Sequence, residues 1–282
     1  MAMYSANMSS EPLEIVICGY VTQHVLRLTR LLRNEDRNIL LIGSRGNKMA
    51  TIARLAAFIC RKTAVLYNKP TSSVSQNSES LVEWKHELRN AILASVREKD
   101  ENIVFIFKDS YLLETGHYDA IERFVSGAQL SSDILAYEHL DGHLLSILRD
   151  QMHQEQEESR ANKLAAQTIL STESSVLEYF YTQVRKKFQM VVILSDSHAN
   201  MLPIKNENLG SRTAASRLAR LFWQTPRILK HCTVNYFGEW PEESLSTIAH
   251  KCFALSSEIE KERAVQFAQA AVQIYQSTRR EP

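Results

Sequence analysis

The chain has 282 residues, of which 44% are hydrophobic and 23% are charged, and its formal net charge is +1. These values are typical of a globular protein with a sizeable core. A net charge near zero gives no general attraction to nucleic acid or to a membrane surface, and no apolar run reaches the roughly 18 residues that would span a bilayer. We therefore expect neither nucleic acid nor membrane among its partners.

Four cysteines, Cys18, Cys60, Cys232 and Cys252, stand far apart in the sequence and show no metal-ligand spacing. They indicate reduced thiols in a cytosolic protein rather than a disulfide framework. The polar segment 1–12 lacks the basic and apolar regions of a signal peptide, and we expect it to be a disordered lead.

Apolar residues at helical or strand spacing predict the elements that follow. In chain order these are an extended piece at 13–17, a helix at 21–33, a strand at 38–42, a helix at 48–61, a strand at 63–67, a loop at 69–80 and a helix at 81–98. The second half continues with a strand at 102–109, helices at 118–126, 136–166 and 174–187, a strand at 190–194, a helix at 214–222, a strand at 233–237, and helices at 241–255 and 257–276. The third strand has five consecutive apolar residues, which is typical of a parallel sheet covered on both faces.

The segment 38–59 combines a short apolar strand, a glycine-bracketed turn from Gly43 to Gly46, and an amphipathic helix. Strand, glycine loop and helix form the context of a phosphate-binding loop, in which backbone N–H groups and the helix N-terminus face an anion. The alternative that this pattern leaves open is a strand–turn–helix corner without a ligand.

The loop departs from the working pattern G-x-x-x-x-G-K-[ST]. Alignment on Gly43 and Gly46 puts Lys48 at the last glycine, Met49 at the lysine and Ala50 at the hydroxyl residue. Met49 offers no cation to the β- and γ-phosphates, and Ala50 offers no oxygen to Mg²⁺. Lys48 stands one residue early, which on a helix means a rotation of about 100° and a rise of about 1.5 Å.

Two further strand ends carry polar residues. The third strand ends in Asp109, where P-loop proteins place an acid that holds Mg²⁺, but Ser110 follows where efficient ATPases have a glutamate that orients the attacking water. The fourth strand ends in Ser195, a position from which a polar side chain can contact the γ-phosphate. Each residue has a purely structural alternative, such as an acid that caps the next turn.

Two other patterns suggest a metal site and a catalytic triad, but each lacks a required feature. His139 and His143 flank Asp141 four residues apart, but no third metal ligand accompanies them, so a metal site is not expected. Ser195, Asp196 and His198 stand nearly side by side, whereas a catalytic triad is assembled from residues distant in sequence and a G-x-S-x-G turn is absent. We expect no catalytic residues.

The ordered segments resemble the fourth AAA+ module of dynein heavy chains, nearest to the axonemal type, over most of the chain. The resemblance rests on HVLRLTRLLRNEDRNILLIG (24–43), ATIARLAAFI (50–59), WKHELRNAI (84–92), Gly127 with Leu130, and TPRILKHCTVNYFGEWPEESL (225–245). It implies an α/β fold of the P-loop NTPase class, a three-layer sandwich with a central parallel five-stranded sheet. It also implies an AAA+ large subdomain at 13–255, followed by a helical C-terminal extension at 256–282.

The resemblance also implies a place in a six-module ring that drives movement along microtubules, in the cytoskeleton of the cytoplasm or of a cilium or axoneme. The partners would be neighbouring AAA+ modules, and intermediate chains, light chains and microtubules only through the whole complex. His231 stands where some relatives have an arginine that could serve the neighbouring module, so it is the expected inter-module contact. A partner of a stand-alone protein would use the same edge, including His231 and a basic helix at 212–220. The expected cofactor is ATP or ADP with Mg²⁺, bound weakly or not at all.

Two hypotheses follow. In the first, the chain is a regulatory or structural ring module with a degenerate nucleotide site and no turnover of its own. Its candidate nucleotide-binding residues are Gly43, Ser44, Arg45, Gly46, Asn47, Lys48, Met49, Ala50, Asp109 and Ser195, with Asp109 as the Mg²⁺ contact if Mg²⁺ binds. In the second, it is a stand-alone, non-catalytic interaction protein derived from a dynein fragment.

Overall fold

The computed structural model describes residues 15–34, 37–44, 46–67, 77–97, 101–108, 115–127, 135, 139–161, 173–195, 226–254 and 261–280. The strands are β1 Asn38–Gly43, β2 Thr63–Leu66, β3 Ile103–Lys108, β4 Phe188–Ser195 and β5 Cys232–Phe237. The helices are α1 Gly19–Leu32, α2 Met49–Ile59, α3 Asn77–Arg97, α4 Thr115–Val125, α5 Gly142–Ala161, α6 Glu173–Lys187, α7 Pro226–His231, α8 Glu242–Ala254 and α9 Lys261–Arg280.

The five strands form one sheet in the order β2-β3-β4-β1-β5, and every pair is parallel. β1 lies between β4 and β5, with Leu41 opposite Ile193 on one side and Asn235 on the other. Because all strands run the same way, their carboxyl ends meet at one edge of the sheet. The predicted five-stranded parallel sheet is confirmed.

Both faces of the sheet are covered, which explains why the strands are continuous apolar runs. Alternate residues point to opposite faces, so Leu40 and Phe105 join the core cluster under α3 to α6, while Ile39 and Ile106 join the cluster under α1 and α2. Helices on both sides of a parallel sheet make the three-layer α/β sandwich that the sequence predicts.

The end of α2 shows how local geometry overrides residue preference. The N–H groups of Arg61 and Lys62 bond the carbonyl oxygens of Phe58 and Ala57 at 3.0 and 2.9 Å. This is a Schellman turn, which places its C′ residue in the left-handed region that glycine favours. Here that residue is Arg61, with φ of 58°.

Several predicted boundaries are corrected. The helix predicted from 81 starts at Asn77, inside the stretch predicted as loop. The helix predicted from 136 begins at Gly142. Residues 226–231, for which no element is predicted, form the short helix α7, and α8 begins after Pro241 rather than at it, because the Pro241 carbonyl accepts from the N–H groups of Ser244 and Leu245.

α8 and α9 pack mainly against each other beyond the sheet, which fits the predicted helical extension. None of the described helices combines the length and the apolar character needed to cross a membrane. The predicted disordered lead 1–12 and the predicted basic helix at 212–220 lie outside the described residues.

Candidate functional site

The segment between β1 and α2 leads from the strand into the helix through two residues at positive φ. Gly46 has a φ of +93°, and Lys48 lies in the left-handed region with φ 53° and ψ 28°. The carbonyl oxygen of Lys48 accepts a hydrogen bond from the N–H of Ile52 at 2.9 Å, so the helix starts immediately after it. No side chain caps this end of α2, and the first N–H groups of a helix have no partner within it.

The loop starts where β1 and β5 approach each other closely. A Cβ atom on Gly43 would lie 2.7 Å from Cβ of Phe237 and 2.8 Å from its carbonyl oxygen. Real Cβ atoms do not come so near to a neighbour's backbone, so this position accepts only glycine without moving β5. The first glycine of the loop is therefore required by packing between the strands, whether or not a ligand binds.

Asn47 lies inside this junction and is fully buried. Its Nδ2 donates hydrogen bonds to the carbonyl oxygens of Phe237 at 3.1 Å and Gly238 at 3.2 Å. Its Oδ1 is buried without a hydrogen-bond partner among the described residues. The sequence predicts a backbone contact for Asn47, whereas the structure shows that its side chain joins the loop to the sheet, a role that no local pattern signals.

An aromatic cluster lies beside the same junction. The hydroxyl of Tyr20 donates to the Gly238 carbonyl at 2.8 Å, so this oxygen accepts from both Tyr20 and Asn47. The ring of Tyr20 lies 4.4 Å from that of Trp240, measured between centroids. The turn after β5, which has the sequence Gly-Glu-Trp-Pro, therefore joins helix α1 to the phosphate loop.

The residues at the predicted nucleotide-binding positions differ in their exposure to solvent. Lys48 is exposed at the start of α2. Met49, at the lysine position of the pattern, is only 6% exposed and belongs to the core cluster under α1 and α2. Ala50 and Ser44 are half-buried, and Arg45 lies outside the described residues. The side chain at the lysine position thus fills the core and leaves the loop without that cation.

The neighbouring strand ends lie at the same edge of the sheet. Ser195 ends β4 directly opposite Gly43, at the entrance of the loop. β3 ends at Lys108, which is opposite Ile193 of β4. Asp109 and Ser110 follow Lys108 in the chain but lie outside the described residues, so the predicted Mg²⁺ contact stays a prediction.

Positive charge accumulates near the end of β3. Lys108 is half-buried, and burial, with a contribution from the charge of Arg54 on α2, lowers its pKa. Lowering the pKa of a lysine signals that its environment disfavours the charged form. An anion near this end of the sheet would oppose that effect.

His231 ends α7 immediately before β5 and is half-buried. Exposed apolar residues follow it on the strand, since Val234 is 45% and Tyr236 60% exposed, and Leu229 precedes it at 38%. β5 is an edge strand of the sheet. The predicted inter-module residue therefore stands beside an uncovered apolar strip.

One of the two weaker motifs, that around Asp141, has a structural explanation. Asp141 accepts the N–H of Leu144 at 2.7 Å at the start of α5, and it pairs with Arg97 at 2.6 Å. The bond from Leu144, followed by the charge of Arg97, lowers the pKa of Asp141. Within the described ranges, no three His, Cys, Asp or Glu side chains come together as metal ligands. Asp196 and His198 lie outside those ranges.

A parallel sheet whose first strand leads through a glycine loop into a helix at the carboxyl edge defines an α/β protein of the P-loop class. Comparison with known sequences narrows this class. A family model described as the P-loop containing dynein motor region D4 matches residues 13–281, and the chain belongs to this family. The predicted resemblance to dynein heavy chains is confirmed.

Individual relatives are distant. The chain is 26% identical over 231 residues to the cytoplasmic dynein heavy chain of Dictyostelium discoideum. It is 24% identical over 232 residues to dynein axonemal heavy chain 6 of Homo sapiens, and 24% identical over 255 residues to dynein axonemal heavy chain 2 of Mus musculus. These matches cover 82%, 82% and 88% of this chain, but only 4%, 5% and 5% of the relatives.

Proposed function

We propose that the chain acts as the fourth AAA+ module of a dynein heavy chain, as a structural or regulatory ring element whose own nucleotide site is degenerate. One observation carries the proposal. The loop after β1 has Gly46 and Lys48 at positive φ, while Met49 at the lysine position is buried in the core. The fold of a motor module is retained and a principal group for phosphoryl transfer is lost.

The residual site would bind ATP or ADP through the backbone N–H groups of 44–50, with Lys48 and Asp109 assisting. Such binding is weak, because at the lysine position of the loop only the partial charges of backbone N–H groups contact the phosphates, where a lysine would supply a full positive charge. Hydrolysis is not expected, since Ser110 stands where a glutamate would orient the water. In this proposal the module responds to nucleotide weakly or serves as a spacer, and energy for movement along microtubules comes from other modules of the heavy chain.

The neighbouring modules are the proposed direct partners. The strip of Leu229, Val234 and Tyr236 next to His231 supports this, because exposed apolar residues on an edge strand are a typical contact surface. Intermediate chains, light chains and microtubules would be reached only through the whole complex. Both cytoplasmic and axonemal heavy chains are among the relatives, so the proposed location is the cytoskeleton, including cilia and axonemes.

The same apolar strip, with Phe267 and Ile274 exposed on α9, favours a second candidate function. In it the polypeptide is a separate, non-catalytic protein that binds a partner through surfaces once covered in a ring. Transcript length discriminates the two. A message that encodes thousands of residues around this segment supports the ring module, and one that ends near the codon for Pro282 supports the interaction protein.

The nucleotide site is tested by titrating ATP and ADP, each with Mg²⁺, into the purified chain by calorimetry, with phosphate release measured in parallel. We expect binding no tighter than millimolar and no steady phosphate release. The proposal of a degenerate site would be overturned by micromolar binding, or by phosphate release that Asp109→Ala abolishes and Asp150→Ala, an exposed acid on α5, leaves intact.

A further inference from the structure

A buried side chain joins the phosphate loop to the end of β5, the edge strand next to β1. Asn47 and its two acceptors, the carbonyl oxygens of Phe237 and Gly238, are 190 and 191 residues apart in sequence. We propose that Asn47 is a positioning residue, the Asn47 anchor, whose amide holds the loop against the end of β5 so that the protein itself, and no bound phosphate, sets the loop conformation.

The chemistry of the contact selects an asparagine. Both acceptors are carbonyl oxygens, so the side chain must present N–H donors, and Nδ2 carries two. An aspartate of the same shape would direct a carboxylate oxygen at two carbonyl oxygens. Because Asn47 is fully buried, a substitution that removes the donors takes one hydrogen bond from each carbonyl group at a position shielded from water.

The Asn47 anchor lies where the backbone of the loop is closely packed. Nδ2 of Asn47 would lie 3.1 Å from a Cβ atom on Gly43, and the N–H of Asn47 donates to the Ser44 carbonyl at 3.3 Å. The start of the loop, its middle and the end of β5 are therefore in mutual contact. Lys48, the next residue, is held in the left-handed region, which L-residues with a side chain seldom adopt unless their surroundings impose it.

The anchor also joins the loop to helix α1. The Gly238 carbonyl accepts from Tyr20 at 2.8 Å as well as from Asn47 at 3.2 Å. A shift of this carbonyl would disturb both bonds, so loop and helix share one attachment point.

The inference rests on the proposed function only in treating the segment as a nucleotide loop, and it deepens that function by making the loop insensitive to nucleotide.

Amide hydrogen exchange of the purified chain, followed by mass spectrometry without nucleotide, tests the anchor. In the wild type we expect protection of the peptide covering 46–52 through the bonded N–H groups of Asn47 and Ile52, and of the peptide covering 237–241 through Phe237, which is fully buried. In Asn47→Ala, exchange in these peptides should accelerate by about tenfold or more, the factor expected when hydrogen bonds worth about 1.4 kcal/mol are lost. The control Asn90→Ala removes an exposed amide that bonds only His86, and it should leave both peptides unchanged.

Two further variants separate the contacts. Tyr20→Phe removes one bond to Gly238, and it should accelerate exchange at 237–241 while leaving 46–52 protected. Asn47→Ser keeps a small polar group too short to reach both acceptors, and it should behave like Asn47→Ala. The anchor is refuted if the wild-type loop exchanges at the rate of an unstructured peptide, a result that needs no variant to fold. It is equally refuted if Asn47→Ala accelerates exchange evenly over the whole chain.

Addition of ATP with Mg²⁺ distinguishes this inference from the proposed function. We expect unchanged exchange in the wild-type loop at a nucleotide concentration where calorimetry detects binding. If calorimetry detects no nucleotide binding, the residual nucleotide site is contradicted. The protection of the wild-type loop against exchange, and its loss in Asn47→Ala, still test the anchor. Binding that orders a previously unprotected loop would refute the anchor while supporting nucleotide regulation.

Discussion

The imidazole ring of His24 stacks on the phenyl ring of Phe237, with ring centroids 3.9 Å apart and planes inclined by 11°. His24 is 4% exposed, and its Nδ1 has no hydrogen-bond partner among the described residues. Burial, together with the charge of Arg27, lowers the pKa of His24 to about 4. The contact between α1 and β5 therefore requires the neutral imidazole, because a charged ring would be buried without a partner.

This contact predicts a specific dependence of stability on pH. The folded-state pKa is about 4, and the unfolded chain binds the same proton near pH 6.5. The contribution of neutral His24 is therefore fully present above about pH 6.5 and is lost as the pH falls to about 4, with a maximum loss of about 3 kcal/mol.

Urea unfolding across this pH range measures the effect. His24→Phe keeps an aromatic ring in the stack but cannot be protonated, so its free energy of unfolding should change less between neutral pH and pH 4 than that of the wild type. Carboxylates titrate in both proteins, and the comparison removes their contribution. Parallel pH profiles for the two proteins would contradict this explanation.

Two residues with side chains occupy left-handed backbone positions, and both predict stabilisation by glycine. Lys48 has φ 53° and Arg61 has φ 58°. The left-handed conformation costs an L-residue about 1–2 kcal/mol, part of which the greater freedom of glycine in the unfolded state offsets. We expect Lys48→Gly and Arg61→Gly each to raise the free energy of unfolding by about 0.5–1 kcal/mol.

The matched control for these substitutions is Lys251→Gly, at an exposed position of α8 with ordinary helical geometry. Glycine in a helix interior should lower stability by about 1 kcal/mol. Thermal and urea unfolding of the three variants check the sign. Destabilisation by Lys48→Gly of the same size as by Lys251→Gly would show that the left-handed position carries no strain.

Gln189 holds the turn between α1 and β1. Its Nε2 donates to the carbonyl oxygens of Asn34 at 2.9 Å and Arg37 at 2.6 Å, and Oε1 accepts from Nζ of Lys62 at 3.2 Å. Only 2% of the residue is exposed. Gln189→Leu should lower the free energy of unfolding by about 2–3 kcal/mol, because buried carbonyl groups lose their donor.

A second buried glutamine serves as the reference for this prediction. Gln183 is 6% exposed, and its Nε2 donates to Oε1 of Glu155 at 3.3 Å. Gln183→Leu should cost about 1 kcal/mol or less, since the acceptor of this bond is the exposed carboxylate of Glu155, which water can solvate instead. Equal losses in the two variants would mean that the turn does not depend on Gln189.

The cysteines predict an order of chemical modification. Cys252 is exposed, whereas Cys18 and Cys232 are buried, and burial raises the pKa of Cys232 to about 12. Because the thiolate is the reactive form, iodoacetamide at neutral pH should modify Cys252 first and Cys232 only after unfolding. Mass spectrometry of digested samples measures the order, and Cys252→Ser should remove the fast phase. Early modification of Cys232 would contradict the buried environment.

The sheet could be predicted because runs such as Leu40 to Ile42 admit only a strand covered on both faces. The first and last residues of the helices and strands were harder to predict from the sequence. α7 has six residues with Ile228 as its buried one, too few for a helical period. The helix α3 starts at Asn77, in a polar stretch rich in loop-forming residues, where propensity favours a loop.

The candidate site was predictable in outline and not in its contacts. Glycines at 43 and 46 mark the loop in the sequence, and the substitution of Met49 for a lysine is visible there too. The bond from Asn47 to Gly238 joins residues 191 positions apart, and no local pattern signals it. Likewise, the sequence does not show that Met49 turns into the core, since this depends on the space between α1, α2 and the sheet.

The central claim is that the chain keeps the form of a phosphate loop without the groups that hold a triphosphate. Calorimetric titration of ATP with Mg²⁺ into the wild type and into the triple variant Lys48→Gly, Met49→Lys and Ala50→Ser tests it most directly. Restoring the cation and the hydroxyl should tighten binding by about tenfold or more, the gain from one charge-assisted hydrogen bond. A folded triple variant that binds ATP no better than a weak wild type, or a wild type that already binds at micromolar concentration, would contradict the claim.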